Sequence, residues 1–236
     1  MTRFVLVPGT TQSAAGWDRL AAELRARGHG VTAVDPPADE PDWVPADYAR
    51  HAAAQASEAG EAGQRPVVVA HSGSGVLLPA IAEAVGAARA VWLAAYVPDL
   101  AGGASMLDDI KTQREAMFHP DWLGADPVGD PRAALRFLFH DCDPRTREWA
   151  LGTLRLFNPG PAVYRHSPSA LPDGIARAAI VPAADRTLRP EWMERAARQR
   201  LGVEPVTIDT GHCPHVSRPG PLADILTGLH PARAAG

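Results

Sequence analysis

The sequence has few residues of several types, and each shortage narrows what the chain can be. Only two of the 236 residues are cysteine, Cys142 and Cys213, so a disulfide framework is excluded. Each cysteine is expected to pack as a small apolar side chain. No apolar run approaches the roughly 18 residues of a membrane-spanning helix. No spacing of His, Cys, Asp or Glu resembles a metal site, so no bound metal is predicted.

The balance of charge argues against a nucleic-acid-binding protein. Asp and Glu total 27 against 23 Lys and Arg, which gives a net charge of −4 and no basic footprint for nucleic acid. A strand pattern begins at Arg3, close to the start, so we expect no signal peptide and a cytoplasmic protein. The expected partner is a small-molecule substrate rather than nucleic acid or membrane. Monomer and homodimer both stay open.

The order of patterns along the chain predicts an α/β fold. Strand and helix patterns alternate in residues 1–98 and 177–236, which favours a mostly parallel sheet flanked by helices on both faces. Between them, residues 99–176 break the alternation and are predicted to form an inserted helical cap. The predicted strands are 3–7, 30–34, 66–70, 89–96, 178–183 and 202–209. The predicted helices are 17–27, 47–61, 76–85, 106–118, 131–140, 144–157, 190–200 and 221–229.

The most informative stretch is residues 66–75, PVVVAHSGSG. Its β-branched run predicts a buried strand, and an apolar helix pattern follows from Val76. Between them, Ser72 stands in a small-x-Ser-x-small turn whose outer small residues are Ala70 and Ser74 instead of glycine. A strand, a sharp turn and a helix with serine at the apex describe a nucleophile elbow. We predict Ser72 as the nucleophile; the alternative is a helix-capping serine.

A serine hydroxyl needs a base to take its proton and a carboxylate to orient that base. In enzymes with this kind of elbow, the order along the chain is serine, acid, histidine. Asp185 follows the predicted strand after the cap and is the favoured acid, with Asp99 as its competitor. His212 follows the last predicted strand and is the favoured base, with His215 as the fallback.

The oxyanion of a tetrahedral intermediate needs two N–H donors. The amide of Gly73 is one, and the loop after the first strand is expected to supply the other from Thr10, with Thr11 as runner-up. Ligands of open α/β sheets bind at the carboxyl edge of the strands, where a cap would lie. The residues predicted to line the substrate pocket are Thr11, Phe118, Trp122, Phe137 and Phe157.

These motifs together resemble the α/β-hydrolase superfamily. More narrowly, they resemble its branch of plant methylesterases and hydroxynitrile lyases, with their bacterial relatives. One departure lies in the first loop, where Pro8 stands in place of the usual histidine. The runs that carry the resemblance are Phe4–Gly9 with Trp17, Ala70–Gly75, Leu93–Asp99, Phe139–Cys142, Ala184–Thr187 and Gly211–His212.

The resemblance implies a serine hydrolase that cleaves an ester with a compact, apolar acyl or aryl part and needs no metal or organic cofactor. Relatives that cleave cyanohydrins use a lysine near the catalytic histidine. Here the neighbouring residue is Cys213, and the only lysine is Lys111 in the cap. Two other readings stay open. One is a cofactor-free lyase or cyclase, and the other is a protein that binds a small ligand without turnover.

Overall fold

The structure is a computed structural model that describes residues 1–58, 64–167 and 170–229. Its strands are β1 (Arg3–Val7), β2 (Gly30–Ala33), β3 (Asp39–Glu40), β4 (Val67–His71), β5 (Arg89–Leu93), β6 (Asn158–Pro159), β7 (Ala176–Pro182) and β8 (Val206–Ile208). Its α-helices are α1 (Asp18–Ala26), α2 (Pro45–Glu58), α3 (Leu78–Ala84), α4 (Met106–Met117), α5 (Pro131–Phe137), α6 (Pro144–Leu151), α7 (Pro161–Arg165), α8 (Pro190–Ala196), α9 (Pro214–Ser217) and α10 (Pro219–Gly228).

Six strands form one parallel sheet in the order β2-β1-β4-β5-β7-β8, while β3 and β6 pair separately over two residues. The register places Val5 beside Val68 and Val69 beside Val91. Apolar side chains alternate between the faces of the sheet, so Val5 and Val7 pack in one core cluster while Phe4 and Leu6 pack in the other. Both faces are therefore covered, as a parallel sheet requires. The predicted α/β fold is confirmed.

Local capping explains where three helices of the inserted segment begin. Ser105 and Asp108 form a reciprocal capping box at the start of α4. Asp130 caps α5 and Asp143 caps α6, in each case with proline in the first turn. These caps satisfy amide donors that a helix leaves unpaired at its start. The segment also packs on the sheet, because Met117 and Phe157 belong to the same core cluster as β1 residues.

Several predicted elements are longer than the observed ones. The strand predicted for 89–96 ends at Leu93, because Ala94 takes a positive φ of 47° and turns the chain. The last strand covers only Val206–Ile208, and the chain before it still forms a π-helical turn over Ala197–Leu201 that ends at Gly202, where φ is 68°. The helix predicted for 47–61 is observed as Pro45–Glu58, and residues 59–61 lie outside the described part of the chain.

The helix predicted for 144–157 stops at Leu151, and after a turn at 152–153 the chain leaves the helical path. Backbone bonds to the loop after β1 replace the helical ones, since the Arg155 and Phe157 amides donate to the carbonyls of Thr11 and Thr10. The inserted segment therefore reaches the mouth of the sheet. Among the residues that the structure describes, no helix is long and apolar enough to cross a membrane.

Candidate active site

The turn after β4 has the geometry of a nucleophile elbow. Ser72 adopts φ of 55°, a left-handed conformation that is uncommon for a residue other than glycine, and a 3-10 turn over Ser72–Val76 leads into α3. A Cβ atom at Gly75 would overlap the carbonyl oxygen of Tyr96, so only glycine fits there. Ser74, which replaces a glycine of the usual pattern, donates its hydroxyl to the Pro8 carbonyl at 2.5 Å. The hydroxyl of Ser74, which glycine would lack, thus connects the elbow to the loop after β1 through a hydrogen bond.

Three side chains form a continuous chain of hydrogen bonds beside the elbow. Ser72 Oγ lies 3.0 Å from His212 Nε2, and His212 Nδ1 lies 2.7 Å from Asp185 Oδ2. The side chains of His212 and Asp185 are 1% and 0% exposed. Asp99, the competing acid, instead accepts the Ala101 and Gly102 amides in its own turn. The structure therefore brings together the serine, the acid and the base that the chain order favoured.

Thr187 joins this chain of hydrogen bonds, and sequence reasoning did not single it out. Its Oγ1 lies 3.0 Å from Asp185 Oδ1 and 2.7 Å from His212 Nδ1. A carboxylate only accepts hydrogen bonds, so the hydroxyl donates to Asp185 and turns a lone pair towards the Nδ1–H of His212. The Thr187 amide also donates to Asp185 Oδ1, at 2.7 Å. The sequence feature that could have indicated this role is the position of Thr187 two residues after Asp185, from which its hydroxyl can bond the carboxylate.

Two further histidines are buried behind His212. The ring of His71 lies 4.7 Å from that of His212 and 4.6 Å from that of His215. His71 Nε2 donates to the His212 carbonyl at 2.9 Å, and His215 Nε2 donates to Gln12 Oε1 at 3.0 Å. Burial lowers the pKa of His215 to about 3 and, with the two neighbouring histidines, holds the pKa of His71 well below its usual value. His215 thus packs beneath the site and contacts Gln12.

The loop after β1 lies against the elbow because glycine leaves room for it. A Cβ atom at Gly9 would lie 2.7 Å from His71 Nδ1 and 2.9 Å from Ser72 Cβ. Thr10 follows, and a Cβ atom at Gly73 would lie 2.8 Å from its Cγ2. As the second residue of its 3-10 turn, Gly73 has an amide outside the bonds of that turn. Thr10, Ser72 and Gly73 all face one cavity.

This site cavity has a volume of about 230 Å³. Phe118 and Trp122 line it as predicted, whereas Thr11, Phe137 and Phe157 are not among its lining residues. Phe137 packs behind Trp122 with ring centres 5.5 Å apart, and Phe157 is fully buried against Tyr48. The lining residues are Thr10, Ser72, Gly73, Tyr96, Met106, Ile110, Phe118, Trp122, Tyr164, Thr187 and Leu188.

The prediction that Thr11, Phe137 and Phe157 line the pocket is therefore corrected. Thr11 uses its carbonyl to bind the Arg155 amide, and Phe137 supports the lining residue Trp122 from behind. Phe157 instead packs against Tyr48, which does not line the cavity. Tyr96, Met106, Ile110, Tyr164 and Leu188 line the cavity without having been singled out. Burial raises the pKa of Tyr164 to about 12, so its phenol is neutral near pH 7.

A buried ion pair fastens helix α4 of the inserted segment beside the cavity. Asp109 binds both terminal nitrogens of Arg200, at 2.6 and 2.9 Å, and accepts the Tyr96 hydroxyl at 2.7 Å. Burial alone raises the pKa of Asp109, but the hydrogen bonds from Arg200 and Tyr96 outweigh it and leave the pKa below its usual value. The Tyr96 ring is thereby fixed as one wall of the cavity.

Two residues that bear on lyase chemistry lie away from the cavity. Lys111 is on the exposed side of α4 and is not among the residues that line the site. Cys213 is buried with its Sγ 3.8 Å from Gln12 Oε1, and burial raises the pKa of its thiol. Cys142 is also a buried free cysteine. Within the described part of the chain, no group of three His, Cys, Asp or Glu side chains could hold a metal ion.

An elbow serine bonded to a buried histidine and carboxylate, at the carboxyl edge of a parallel sheet, defines a hydrolase-like class of fold and site. Residues 4–225 match the sequence profile of the alpha/beta hydrolase family, and the chain belongs to that family. The predicted superfamily is thus confirmed. A search among curated proteins found no match.

Solved structures share the fold over almost the whole chain. A polyneuridine aldehyde esterase is 20% identical, with a TM-score of 0.78 over 97% of this chain and 99% of that one. A pyrethroid hydrolase from Sphingobium faniae is 17% identical, with a TM-score of 0.73 over 97% and 96%. A methylesterase from Arabidopsis is 18% identical, with a TM-score of 0.70 over 97% and 98%. At these identities, the likeness shows the fold alone.

Proposed function

We propose that the protein is a serine hydrolase that cleaves a small, largely apolar carboxylic ester. The observation that carries the proposal is the hydrogen-bonded series Ser72, His212 and Asp185, of which Ser72 lines the site cavity. A serine becomes a useful nucleophile only when a base stands within hydrogen-bond reach, and here that distance is 3.0 Å. The esterase and hydrolase names of the three structural neighbours support the same class of reaction.

In the proposed mechanism, Ser72 Oγ attacks the ester carbonyl while His212 Nε2 takes the hydroxyl proton. Asp185 holds the Nδ1–H tautomer, so that Nε2 is free to accept that proton. The amides of Thr10 and Gly73 stabilise the oxyanion. His212 then protonates the departing alcohol, which leaves an acyl-enzyme. A water molecule gives a proton to His212 and attacks the acyl carbon. As the bond from Ser72 Oγ to the acyl carbon breaks, His212 returns that proton to Oγ, which releases the carboxylic acid and regenerates free Ser72.

The character of the cavity supports an uncharged acyl or aryl part. Among the described residues that line it, none is Asp, Glu, Lys or Arg, while Met106, Ile110, Phe118, Trp122 and Leu188 present apolar surface. A charged substrate group would lose its hydration there without gaining a partner of opposite charge. The volume of about 230 Å³ restricts the part that enters to a small group.

The test is hydrolysis of p-nitrophenyl esters of increasing acyl length and of one aryl ester. The native protein, Ser72→Ala and Ser57→Ala are compared, because Ser57 is an exposed serine on α2 and serves as the control. We expect turnover to fall by about 10⁴-fold or more in Ser72→Ala and to be unchanged in Ser57→Ala. A well-folded native protein without turnover on any ester would contradict ester hydrolysis. That result would favour the non-hydrolytic or ligand-binding reading.

A further inference from the structure

A two-residue segment of the cap, His140–Asp141, contacts both loops that carry the acid and the base. His140 Nε2 donates to the Ala184 carbonyl at 3.1 Å, and Ala184 immediately precedes Asp185. Asp141 Oδ2 accepts the Gly211 amide at 2.8 Å, and Gly211 immediately precedes His212. The segment therefore lies across the two loops, each time one residue before the side chain on which the proposed chemistry depends.

The segment is itself held firmly in place. Arg147 of α6 donates to the carbonyls of Phe139 and His140, at 3.3 and 2.6 Å. Phe139 and Cys142, on either side of the segment, are buried in an apolar cluster that also contains Cys213 and Val216. One continuous packed unit thus joins the cap helices α5 and α6 to the chain that follows His212.

The fit at Gly211 shows how closely the two parts meet. A Cβ atom there would lie 2.6 Å from His140 Nε2 and 2.9 Å from Asp141 Oδ1. Gly211 does not take a positive φ, so its backbone conformation does not call for glycine, whereas a Cβ atom would displace the side-chain ends of His140 and Asp141.

The second oxygen of the Asp141 carboxylate adds an independent observation. Asp141 Oδ1 is buried and has no hydrogen-bond partner among the residues that the structure describes. A buried oxygen without a partner is costly, and an apolar side chain at this position would avoid that cost. The carboxylate is thus kept at a cost to stability, and the contact it makes in return is the one with Gly211.

We propose that Asp141, with His140 beside it, is a positioning residue that sets His212 against Ser72 and Asp185. The hydrogen-bonded series is then complete only when the cap is seated on the two loops. This inference rests on the proposed role of Ser72, His212 and Asp185, and it adds that cap and catalytic edge act as one unit. Asp141 itself has no contact with the site cavity.

The first test measures the reactivity of Ser72 with a fluorophosphonate probe in Asp141→Ala, Asp141→Asn and the control Asp121→Asn. In labelling, Ser72 Oγ bonds to phosphorus, fluoride leaves and His212 takes the proton, so the rate reports the assembled site without an ester. Asn keeps an oxygen that can accept the Gly211 amide, whereas Ala does not. Asp121 is an exposed cap residue paired with Arg136.

We expect Asp141→Ala to label about 10- to 100-fold more slowly, with Asp141→Asn within about threefold of the native rate and Asp121→Asn unchanged. The kcat for ester hydrolysis should fall with the labelling rate while KM stays constant. A folded Asp141→Ala protein that labels at the native rate would overturn the proposal. Native labelling without ester turnover would contradict the proposed substrate class and leave the positioning test intact.

The second test needs no chemistry at the serine. Hydrogen exchange followed by mass spectrometry should show faster exchange in the 209–216 region of Asp141→Ala and of Gly211→Ala. The Gly211 variant forces the same contact apart from the opposite side and serves if Asp141→Ala does not fold. Exchange in β1 and β4 should stay at the native rate. Unchanged exchange at 209–216 in a folded variant would refute the positioning role, whatever the protein hydrolyses.

Discussion

The side of the site cavity formed by the sheet and its loops differs in its interactions from the side formed by residues 99–176, here called the cap side. On the sheet side, buried polar atoms hold one another, and Asp185 Oδ1 alone accepts three hydrogen bonds from Thr187 and Leu188. On the cap side, Phe118 and Trp122 present apolar surface whose contacts have no direction. Hydrogen bonds on the sheet side fix the positions of the reacting atoms, whereas apolar contacts on the cap side select substrates by their size and polarity. We therefore expect the sheet side to determine the reaction type and the cap side to determine the substrate preference.

The largest effect on activity is expected from Asp185→Asn, which changes the hydrogen bonds on the sheet side. Because Oδ1 accepts two backbone amides, the new side-chain oxygen stays there and the NH₂ group replaces Oδ2 facing His212. His212 Nδ1 must then accept, which puts the proton on Nε2 and prevents it from taking the proton of Ser72. We expect kcat to fall by about 10⁴-fold with little change in KM. Steady-state kinetics on the best p-nitrophenyl ester measures this, and a loss of less than tenfold would contradict it.

The buried histidines predict a second large effect, on stability. Because the pKa values of His71 and His215 are lowered in the folded protein, both histidines become protonated near pH 6.5 in the unfolded chain but stay neutral in the folded protein. Their stabilising contribution is complete above pH 6.5 and is lost as the pH falls below that value towards the folded pKa, about 3 for His215. We expect His215 to lower the free energy of unfolding by about 2 kcal/mol between pH 7.5 and pH 5, and His71 to change it in the same direction.

Urea unfolding at the two pH values measures this dependence. His215→Leu should show a shallower fall with acid than the native protein, since one of the two buried histidines with a lowered pKa is gone. His166→Gln removes an exposed histidine and is the control, with the native dependence expected. Equal pH dependence in the native protein and in His215→Leu would show that His215 does not contribute.

A smaller effect on the sheet side is expected from Thr187. Thr187→Val keeps the shape of the side chain but removes the hydroxyl that bonds Asp185 and faces His212. We expect kcat to fall about tenfold, and Thr187→Ser to restore most of it, because the loss of one hydrogen bond to a charged group has this order of magnitude. Equal kcat in the Val and Ser variants would show that Thr187 acts through its shape alone.

The cap side should give the smallest change, and of a different kind. Phe118→Ala removes apolar surface from the site cavity, so KM for the longest acyl ester should rise about fivefold while kcat for the shortest ester stays constant. Leu123→Ala changes an exposed cap residue and is the control. A Phe118→Ala protein with kcat lowered equally for all esters would contradict the claim that the cap side determines only substrate preference.

The division also explains what could be predicted from sequence. Ser72, Asp185 and His212 were accessible because a buried strand, a small-residue turn and the chain order are local patterns, and parallel strands bring their carboxyl ends to one edge. The cap lacks such a rule. Phe118 and Phe137 are both apolar residues near helix ends, and only their packing decides that one faces the cavity while the other supports Trp122.

Contacts between segments that lie far apart along the chain could not be predicted from the sequence either. The Gly211 amide meets Asp141 across 70 residues of chain, and no periodicity in either segment indicates the pairing. Ser74 looked like a departure from a glycine pattern until the Pro8 carbonyl was found beside it. In both cases, the residue type is explained by a partner that only the folded chain supplies.

The most direct measurement of the central claim is the site of fluorophosphonate attachment, read by peptide mass spectrometry in the native protein and in His212→Ala. The account predicts one adduct, on Ser72, in the native protein, and labelling slowed by several orders of magnitude when the base is removed. Labelling of Ser72 at the same rate without His212, or an adduct on another serine, would contradict the account.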